Sequence, residues 1–324
     1  MTDVAYSGTS RTLQLTRDYP HPIAKVWAAV STPARIADWM GVEWLGDEGA
    51  ALHEGAHFDY RFGAMDMESR AHVLRYEPPH LLEHSWFENV PPFGRVRWAL
   101  EEVDGGTRLT LTHVLPVFEE APRTGAGWTV LMEQLAASLG DAPATLDWCA
   151  LRDEYARRFG PEATRDGRLV PQGDRQTLTF DRILHHSPET VWDVLTTPAG
   201  ISRWWQADAV VDPHVGGRFE LLFREFGHRL NGAITCYDPP RRFGFTWPEG
   251  AAGKDSEVLF ELSPDAAGTH LRLIHDLPGD VAVIGFAAGW HWHLDGMDDA
   301  ARNVATEWDG TRFQMLRKVY GMTL

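Results

Sequence analysis

Residues 177–205 read TLTFDRILHHSPETVWDVLTTPAGISRWW, and residues 12–40 read TLQLTRDYPHPIAKVWAAVSTPARIADWM. The two stretches align without a gap. Partners are always 165 residues apart, as in these pairs: Thr12 and Thr177, Trp27 and Trp192, Pro33 and Pro198, Trp39 and Trp204. Because related sequences adopt the same structure, this repeat decides the fold of both halves of the chain.

The match continues downstream with shifts of a few residues. The further partners are residues 76–79 and 237–240 (Tyr-x-Pro-Pro), Trp86 and Trp247, residues 106–113 and 268–275, and residues 127–128 and 289–290 (Gly-Trp). Each copy has about 160 residues, which is typical of a whole domain with its own core. We therefore predict a first domain at residues 1–160, a polar linker at 161–174 and a second domain at 175–324.

The composition is that of an ordinary globular protein. Hydrophobic residues make up 44% of the 324 residues and charged residues 23%. The 46 acidic and 30 basic residues leave a formal net charge of −16, which disfavours nucleic acid and anionic membranes as partners. The chain begins without the basic and apolar regions of a signal peptide, and no stretch approaches the roughly 20 apolar residues of a membrane span. We therefore predict a cytoplasmic protein.

Each half combines helices with a series of short strands. An alternating strand is followed by a helix, which in the second half begins after the cap Ser187 with Pro188 in its first turn. Alternating segments then predict an antiparallel meander, at residues 56–62, 69–76, 81–87, 95–101 and 107–114 and at residues 217–224, 231–237, 242–247, 257–262 and 269–276. A long amphipathic helix follows, carrying Trp128 or Trp290 near its start, and a short helix ends each half. This order predicts α+β domains in which a curved antiparallel sheet wraps the long helix.

The motifs resemble one known family. Their order is Val-Trp, Thr-Pro, Trp, residues 215–219 (Val-Gly-Gly-Arg-Phe), Tyr-x-Pro-Pro, residues 245–247 (Phe-Thr-Trp), Gly-Thr-x-Leu-x-Leu-x-His and Gly-Trp. This order resembles the Hsp90-ATPase-activator-homologue C-terminal-domain family of the START/Bet v 1-like (SRPBCC) superfamily. The second copy matches more closely, because the first has Glu-Gly-Ala at residues 54–56 in place of Val-Gly-Gly. The resemblance implies two tandem helix-grip domains, each with a cavity between the sheet and the long helix.

Four histidines are predicted to face these interiors. His113 and His275 end apolar Leu-x-Leu-x-His strands, whose period of two points them inward with the leucines. His84 lies between Leu82 and Trp86 on the third meander strand, where the second copy has Phe245. His293 takes the slot of Leu131 on the long helix and is expected to point at the sheet. These imidazoles either orient a ligand or act as general acid or base, or they only hydrogen-bond a neighbouring group.

Aromatic residues are expected to form the cavity walls. They are Trp86 and Trp128 in the first half and Phe245, Trp247 and Trp290 in the second. Such residues either contact the ligand or pack the core. Arg97, and Glu68 or Asp66, are further candidates that could add polarity to the first cavity.

Motifs for several kinds of chemistry are missing from the sequence. It contains no phosphate-binding loop, nucleophile elbow, paired-cysteine motif or zinc-protease motif, which argues against hydrolase, kinase and dehydrogenase activity. Cys149 and Cys236 occupy non-equivalent positions in the repeat and therefore predict no shared site. His291 and His293 lie on different sides of a helix and cannot share one ion. We predict neither a cofactor nor a metal.

Three functions follow from the sequence and the resemblance. The first is a tandem binder of a hydrophobic or aromatic small molecule, with one or both cavities open. The second is a cofactor-free enzyme similar to the didomain aromatase/cyclases of polyketide pathways, in which an inward histidine handles protons. The third is a co-chaperone with an Hsp90-type partner. Duplication followed by divergence predicts that function lies where the copies differ, as at His84 and Phe245 or at Leu131 and His293.

Overall fold

A computed structural model describes residues 2–8, 10–63, 67–90, 93–116, 119–160, 163–225, 227–248 and 256–324. The chain divides into two compact units, Met1–Thr164 and Arg165–Leu324. Each unit holds one copy of the repeat, and we refer to them as the first and the second domain. Pro161 and Glu162, at the start of the predicted linker, and Asp66 lie outside the described residues.

The first domain contains a mixed sequence of strands and helices. In chain order these are β1 (Asp3–Ser7), β2 (Thr12–Tyr19), α1 (Ile23–Ser31), α2 (Pro33–Met40), β3 (Glu43–Trp44), β4 (His57–Phe62), β5 (Met67–Glu77), β6 (Leu81–Trp86), β7 (Gly94–Val103), β8 (Gly106–Val114), α3 (Ala121–Ser138) and α4 (Trp148–Phe159). The strands form one sheet in the order β1-β2-β8-β7-β6-β5-β4-β3. All of its described neighbours are antiparallel.

The second domain repeats this order. Its elements are β9 (Arg168–Gln172), β10 (Arg175–Leu184), α5 (Pro188–Thr196), α6 (Pro198–Trp205), β11 (Ala207–Val211), β12 (Arg218–Phe223), β13 (His228–Asp238), β14 (Arg242–Trp247), β15 (Ser256–Asp265), β16 (Gly268–Pro278), α7 (Ile284–Asp295), α8 (Met297–Ala301) and α9 (Gly310–Thr323). The sheet order is β11-β12-β13-β14-β15-β16-β10-β9, which is the order of the equivalent strands in the sheet of the first domain. The predicted α+β helix-grip fold is therefore confirmed.

The core of each domain lies between the concave face of the sheet and the long helix. On β8, Leu109, Leu111 and His113 are fully buried, as the period of two predicts. Trp128 and Met132 of α3 are buried against this face. The inward direction of the strand-ending histidines is thus confirmed.

Short polar side chains begin the helices. Ser187 accepts a hydrogen bond from the backbone N–H of Thr190 at the start of α5, as predicted. Thr197 accepts one from the N–H of Gly200 at the start of α6. These caps satisfy N–H groups that have no partner within the helix.

The structure differs from the sequence expectation at the edges and near the end of the long helix. Strands β1 and β9 pair along the sheet edges, and β9 lies within residues 161–174, where a linker was expected. The long helix of the second domain is interrupted, since α7 ends at Asp295 and α8 continues from Met297. None of the helices in the described part of the chain has the length and apolarity that a membrane span requires.

Candidate functional site

An apolar cavity lies inside the first domain. Aromatic side chains form much of its lining, at Trp39, Phe58, Tyr60, Trp86, Trp98 and Trp128. Met40, Leu52 and His84 are also part of the wall. The cavity leaves about 20 Å³ for the centres of water molecules, which is room for about one water. In this conformation the cavity is therefore nearly closed.

A larger cleft lies directly outside this cavity. It runs between the segment after β3 and strand β4, and its volume by the same measure is about 420 Å³. Leu52 and Phe58 line both the cleft and the inner cavity. Phe58 is also stacked on Trp44, with ring centroids 5.2 Å apart. These two side chains therefore form the partition between the cleft and the cavity.

Two buried polar groups orient the tryptophans of the wall. The indole N–H of Trp128 donates to Nδ1 of His113 at 2.9 Å, and that of Trp86 donates to Oε1 of Glu119 at 2.8 Å. The two indoles are themselves in contact, with centroids 5.3 Å apart. With their N–H groups paired to His113 and Glu119, both tryptophans contribute mainly apolar ring surface to the cavity.

His84 lies at the cavity wall with both ring nitrogens paired. Nδ1 is 2.8 Å from the carbonyl oxygen of Ser85, and Nε2 accepts the indole N–H of Trp98 at 3.3 Å. This pairing requires the neutral tautomer with the proton on Nδ1. Burial lowers the pKa of His84 to about 4. The ring therefore stays neutral near pH 7, and its hydrogen bonds favour a structural role.

His113 and Glu119, the partners of the two tryptophans, lie close to each other. Because Nδ1 of His113 accepts from Trp128, the proton of the neutral ring lies on Nε2. That nitrogen is buried, has no hydrogen-bond partner among the described residues, and lies 3.9 Å from Oε2 of Glu119. Burial lowers the pKa of His113 to about 3 and raises the pKa of Glu119. The pair thus places an N–H group opposite a carboxyl group, behind the two tryptophans.

The second domain fills the corresponding space with an aromatic side chain. Trp205, the partner of Met40 in the repeat, is buried with its ring 6.0 Å from Phe245 and 5.4 Å from Trp290. Trp247 lies 6.0 Å from the same ring. The three candidate ligand contacts of this domain therefore pack against Trp205.

His275 has a complete set of hydrogen bonds in the second domain. Trp290 donates to its Nδ1 at 3.0 Å, and its Nε2 lies 2.9 Å from the hydroxyl of Ser256, which donates in turn to the carbonyl of Trp247. Val281 occupies the position of Glu119 in the repeat. Burial lowers the pKa of His275 to about 3, so the ring is neutral and fully paired.

Other candidates lie away from the cavity. His293 is half-buried against α6 and not against the sheet as expected, because its Nδ1 is 3.1 Å from the carbonyl oxygen of Trp204. Arg97 and Glu68 are exposed on the outer face of the sheet, so neither adds polarity to the cavity. His291, with Nδ1 2.8 Å from the hydroxyl of Tyr320, faces away from His293.

Sequence reasoning missed several residues of the site, among them Phe58, Tyr60 and Trp98 of the cavity wall and also Glu119, Leu52 and Met40. Glu119 lies in the loop before α3, where no periodicity marks an inward position. Leu52 lies in the long segment between β3 and β4, and Met40 appears in the sequence only as the last residue of the repeated stretch 12–40. The aligned repeat holds a signal for two of them, since Val281 and Trp205 stand at the positions of Glu119 and Met40.

Comparison with known proteins gives one family match in each half. The model described as Activator of Hsp90 ATPase homolog 1-like protein matches residues 20–140 and 185–302. No curated protein sequence matches the chain. Each matched region contains most of the sheet of one domain and all of its helices except the last, α4 or α9.

Several solved structures are similar to the chain. The crystal structure of CalU16 from Micromonospora echinospora is 26% identical and covers 49% of this chain and 91% of its own, with a TM-score of 0.39. The conserved protein EF2215 from Enterococcus faecalis is 18% identical and covers 48% of this chain and 89% of its own, with a TM-score of 0.41. DynU16, a protein in the dynemicin biosynthetic locus, is 20% identical and covers 90% of this chain and 99% of its own, with a TM-score of 0.37.

Proposed function

The chain belongs to the family of activator of Hsp90 ATPase homolog 1-like proteins, and we propose that it is a tandem-domain protein that binds an apolar or aromatic small molecule in its first domain. The second domain has the same fold, with Trp205 packed among its aromatic side chains. An Hsp90-type chaperone partner stays a prediction from the family resemblance.

The observation that carries this proposal is the difference between Met40 and Trp205. Both residues end the second short helix of their domain, next to a cap in the left-handed conformation at Gly41 or Gln206. Met40 is flexible and lines the first-domain cavity, whereas the rigid indole of Trp205 packs into the aromatic cluster of the second domain. The first domain is therefore the one whose interior is suited to accept a ligand.

Binding requires a change of conformation, because the cavity holds about one water molecule. Leu52 and Phe58 separate the cavity from the outer cleft, so their movement into the cleft gives a ligand the shortest access. The free energy of opening reduces the apparent affinity by the fraction of molecules that are open. The aromatic lining favours a flat, apolar ligand that can stack on indole rings.

Titration with N-phenyl-1-naphthylamine, a neutral aromatic fluorophore, tests this proposal. The wild-type protein is expected to bind one probe per chain. Met40→Trp copies the second domain and is expected to weaken binding by about tenfold or more, equivalent to about 1.4 kcal/mol. The added volume is expected to cost about 1–3 kcal/mol of folding free energy, so circular dichroism and a melting curve accompany each titration.

Trp205→Met is the matched control, because it makes the converse exchange in the second domain. It is expected to leave the binding affinity of the first domain unchanged. Absence of saturable binding to the wild-type protein, or equal affinity of the wild-type and Met40→Trp proteins, would overturn the proposal.

A second candidate function is cofactor-free acid–base catalysis of the aromatase/cyclase type. It is favoured by the buried His113 Nε2, which lies 3.9 Å from the Glu119 carboxyl group and has no partner among the described residues. A carboxyl group with a raised pKa keeps its proton to a higher pH than an exposed one and is suited to act as a general acid. Because Trp86 and Trp128 stand between this pair and the cavity, a substrate reaches it only if an indole moves.

The two candidates differ in what Glu119→Gln and His113→Gln should do. For an enzyme, both variants are expected to lose turnover of a poly-β-ketone substrate while they still bind the fluorescent probe. For a binder, wild type and variants show no turnover. Product formation is followed by liquid chromatography with mass spectrometry.

A further inference from the structure

A cluster of three side chains lies on the first domain at strands β4 and β5. It consists of His57, His72 and Glu88, and each contributes one potential ligand atom, all within 4.8 Å of one another. We propose that this β4–β5 cluster binds one divalent transition-metal ion, with Zn²⁺ as the expected ion. The cluster lies outside the lining of the proposed ligand cavity, although His57 also lines the neighbouring cleft.

The two histidines are direct neighbours across the antiparallel ladder. His57 pairs with His72, and the adjacent N–H of Val73 donates to the carbonyl of Ala56 at 2.9 Å. This pattern makes His57 and His72 a non-hydrogen-bonded pair, the type in which opposite side chains come closest. Their ring centroids are 5.5 Å apart. The sheet therefore presents two imidazoles side by side.

The carboxylate is brought to the histidines by an unusual turn after β6. Phe87 has a φ of 55°, a left-handed conformation that is rare for a bulky residue. Its backbone N–H donates to the hydroxyl of Ser69 at 3.2 Å, and that of Glu88 donates to the carbonyl of Arg70 at 3.0 Å. The turn thus folds Glu88 back onto β5, where its Oε1 contacts Nδ1 of His72.

This donor set suits a transition metal. Imidazole is a ligand for zinc, copper and nickel, and two histidines with one carboxylate are found in zinc sites that keep one position open for water. Ligand atoms about 2.0–2.2 Å from a tetrahedral ion lie about 3.3–3.6 Å from one another. Small rotations of the exposed His57 and the half-buried His72 and Glu88 bring the three atoms to this spacing.

A second polar contact orients one of the ligands. The hydroxyl of buried Ser85 accepts the backbone N–H of His72 at 2.8 Å and lies 3.3 Å from its Nδ1. Hydrogen bonds around a ligating histidine fix its ring orientation. In the second domain, Arg218 and Ala233 stand at the positions of His57 and His72 and offer no imidazole. The expected stoichiometry is therefore one ion per chain.

Isothermal titration of the metal-free full-length protein with ZnCl₂ tests the site. One ion per chain is expected, and Co²⁺ is expected to give the visible absorption of a tetrahedral complex. His57→Ala and His72→Ala should each weaken Zn²⁺ binding by at least about tenfold, since loss of an outer-shell partner alone costs about 10–100-fold. Glu88→Gln is expected to weaken it as well.

His53→Ala is the matched control, because His53 is exposed and close in sequence but lies outside the cluster. Its Zn²⁺ affinity should equal that of the wild type. The chain has 15 histidines, so adventitious binding elsewhere is the competing outcome. Affinity that survives in the His57→Ala/His72→Ala double variant, or no saturable binding to the wild type, overturns the proposal; circular dichroism verifies that each variant is folded.

Discussion

The equivalent histidines His113 and His275 have different hydrogen-bond partners in the two domains. The Nε2–H of His275 donates a hydrogen bond to the hydroxyl of Ser256, whereas the first copy has Gly94 at the position of this serine. A side chain cannot be restored there, because a Cβ on Gly94 would lie 2.7 Å from both the carbonyl oxygen of Val114 and Cδ of Pro116. Backbone crowding therefore leaves the Nε2 of His113 facing Glu119.

Replacement of Glu119 by glutamine tests the electrostatics of this pair. Burial raises the pKa of Glu119 in the folded protein, so the folded state keeps the proton to a higher pH than the unfolded chain. The stability this provides is present below the unfolded pKa of about 4.3 and is lost as pH rises through the folded pKa. We expect Glu119→Gln to gain stability relative to wild type as pH rises from about 4, measured by urea unfolding.

Glu102→Gln serves as the control, because Glu102 is exposed on β7. The difference in the free energy of unfolding between Glu102→Gln and the wild type should not vary with pH. A difference between Glu119→Gln and wild type that is flat, or that shrinks as pH rises, would contradict a raised pKa for Glu119.

Among the elements, the interrupted long helix of the second domain carries an ionic cluster. Asp295, at the end of α7, has a side chain only 3% exposed and pairs with Arg165 and with Arg312 of α9. Oδ1 of Asp295, which contacts Arg165, also lies 3.6 Å from the guanidinium of Arg182 in β10. Burial raises the pKa of Asp295, but these arginines and His291 hold it below its ordinary value. One carboxylate thus links helix, strand and the start of the domain.

Asp295→Asn is expected to destabilise the second domain by about 3–5 kcal/mol, because it removes the negative charge that contacts three guanidinium groups, of which that of Arg182 is buried. The free energy of unfolding is measured in urea, and hydrogen exchange localises the effect to residues 310–323 of α9. Asp299→Asn breaks the exposed pair with Arg302 and should cost at most about 1 kcal/mol. An equal loss of unfolding free energy in the two variants would show that the buried Asp295 contributes no more stability than an exposed ion pair.

At the scale of the whole molecule, the sequence predicts the fold better than the site. A single sequence displays regular local patterns, such as the period of two that ends at His113. It also displays the repeat, as in the constant spacing between Trp27 and Trp192. The packing of Trp205 against Phe245 and Trp290 depends on how α6 lies on distant strands, and no sequence period predicts such contacts. The same holds for the cross-strand pair of His57 and His72, which only the strand register brings together.

Acid should destabilise the whole protein through its buried histidines. Burial lowers the pKa to about 4 for His84 and to about 3 for His113 and His275. The unfolded chain binds protons below pH 6.5 while the folded protein does not, so each histidine removes about 1.4 kcal/mol per pH unit as pH falls from 6.5 toward its folded pKa. His84→Phe, which copies Phe245, leaves the indole N–H of Trp98 unpaired and is expected to cost about 1–3 kcal/mol near pH 7. It also deletes one titrating group, so its stability should fall less steeply with acid than that of the wild type. Urea unfolding between pH 4 and 7 measures both slopes, with exposed His53→Ala as the control. Parallel slopes for wild type and His84→Phe would mean that the pKa of His84 is the same in the folded and unfolded states.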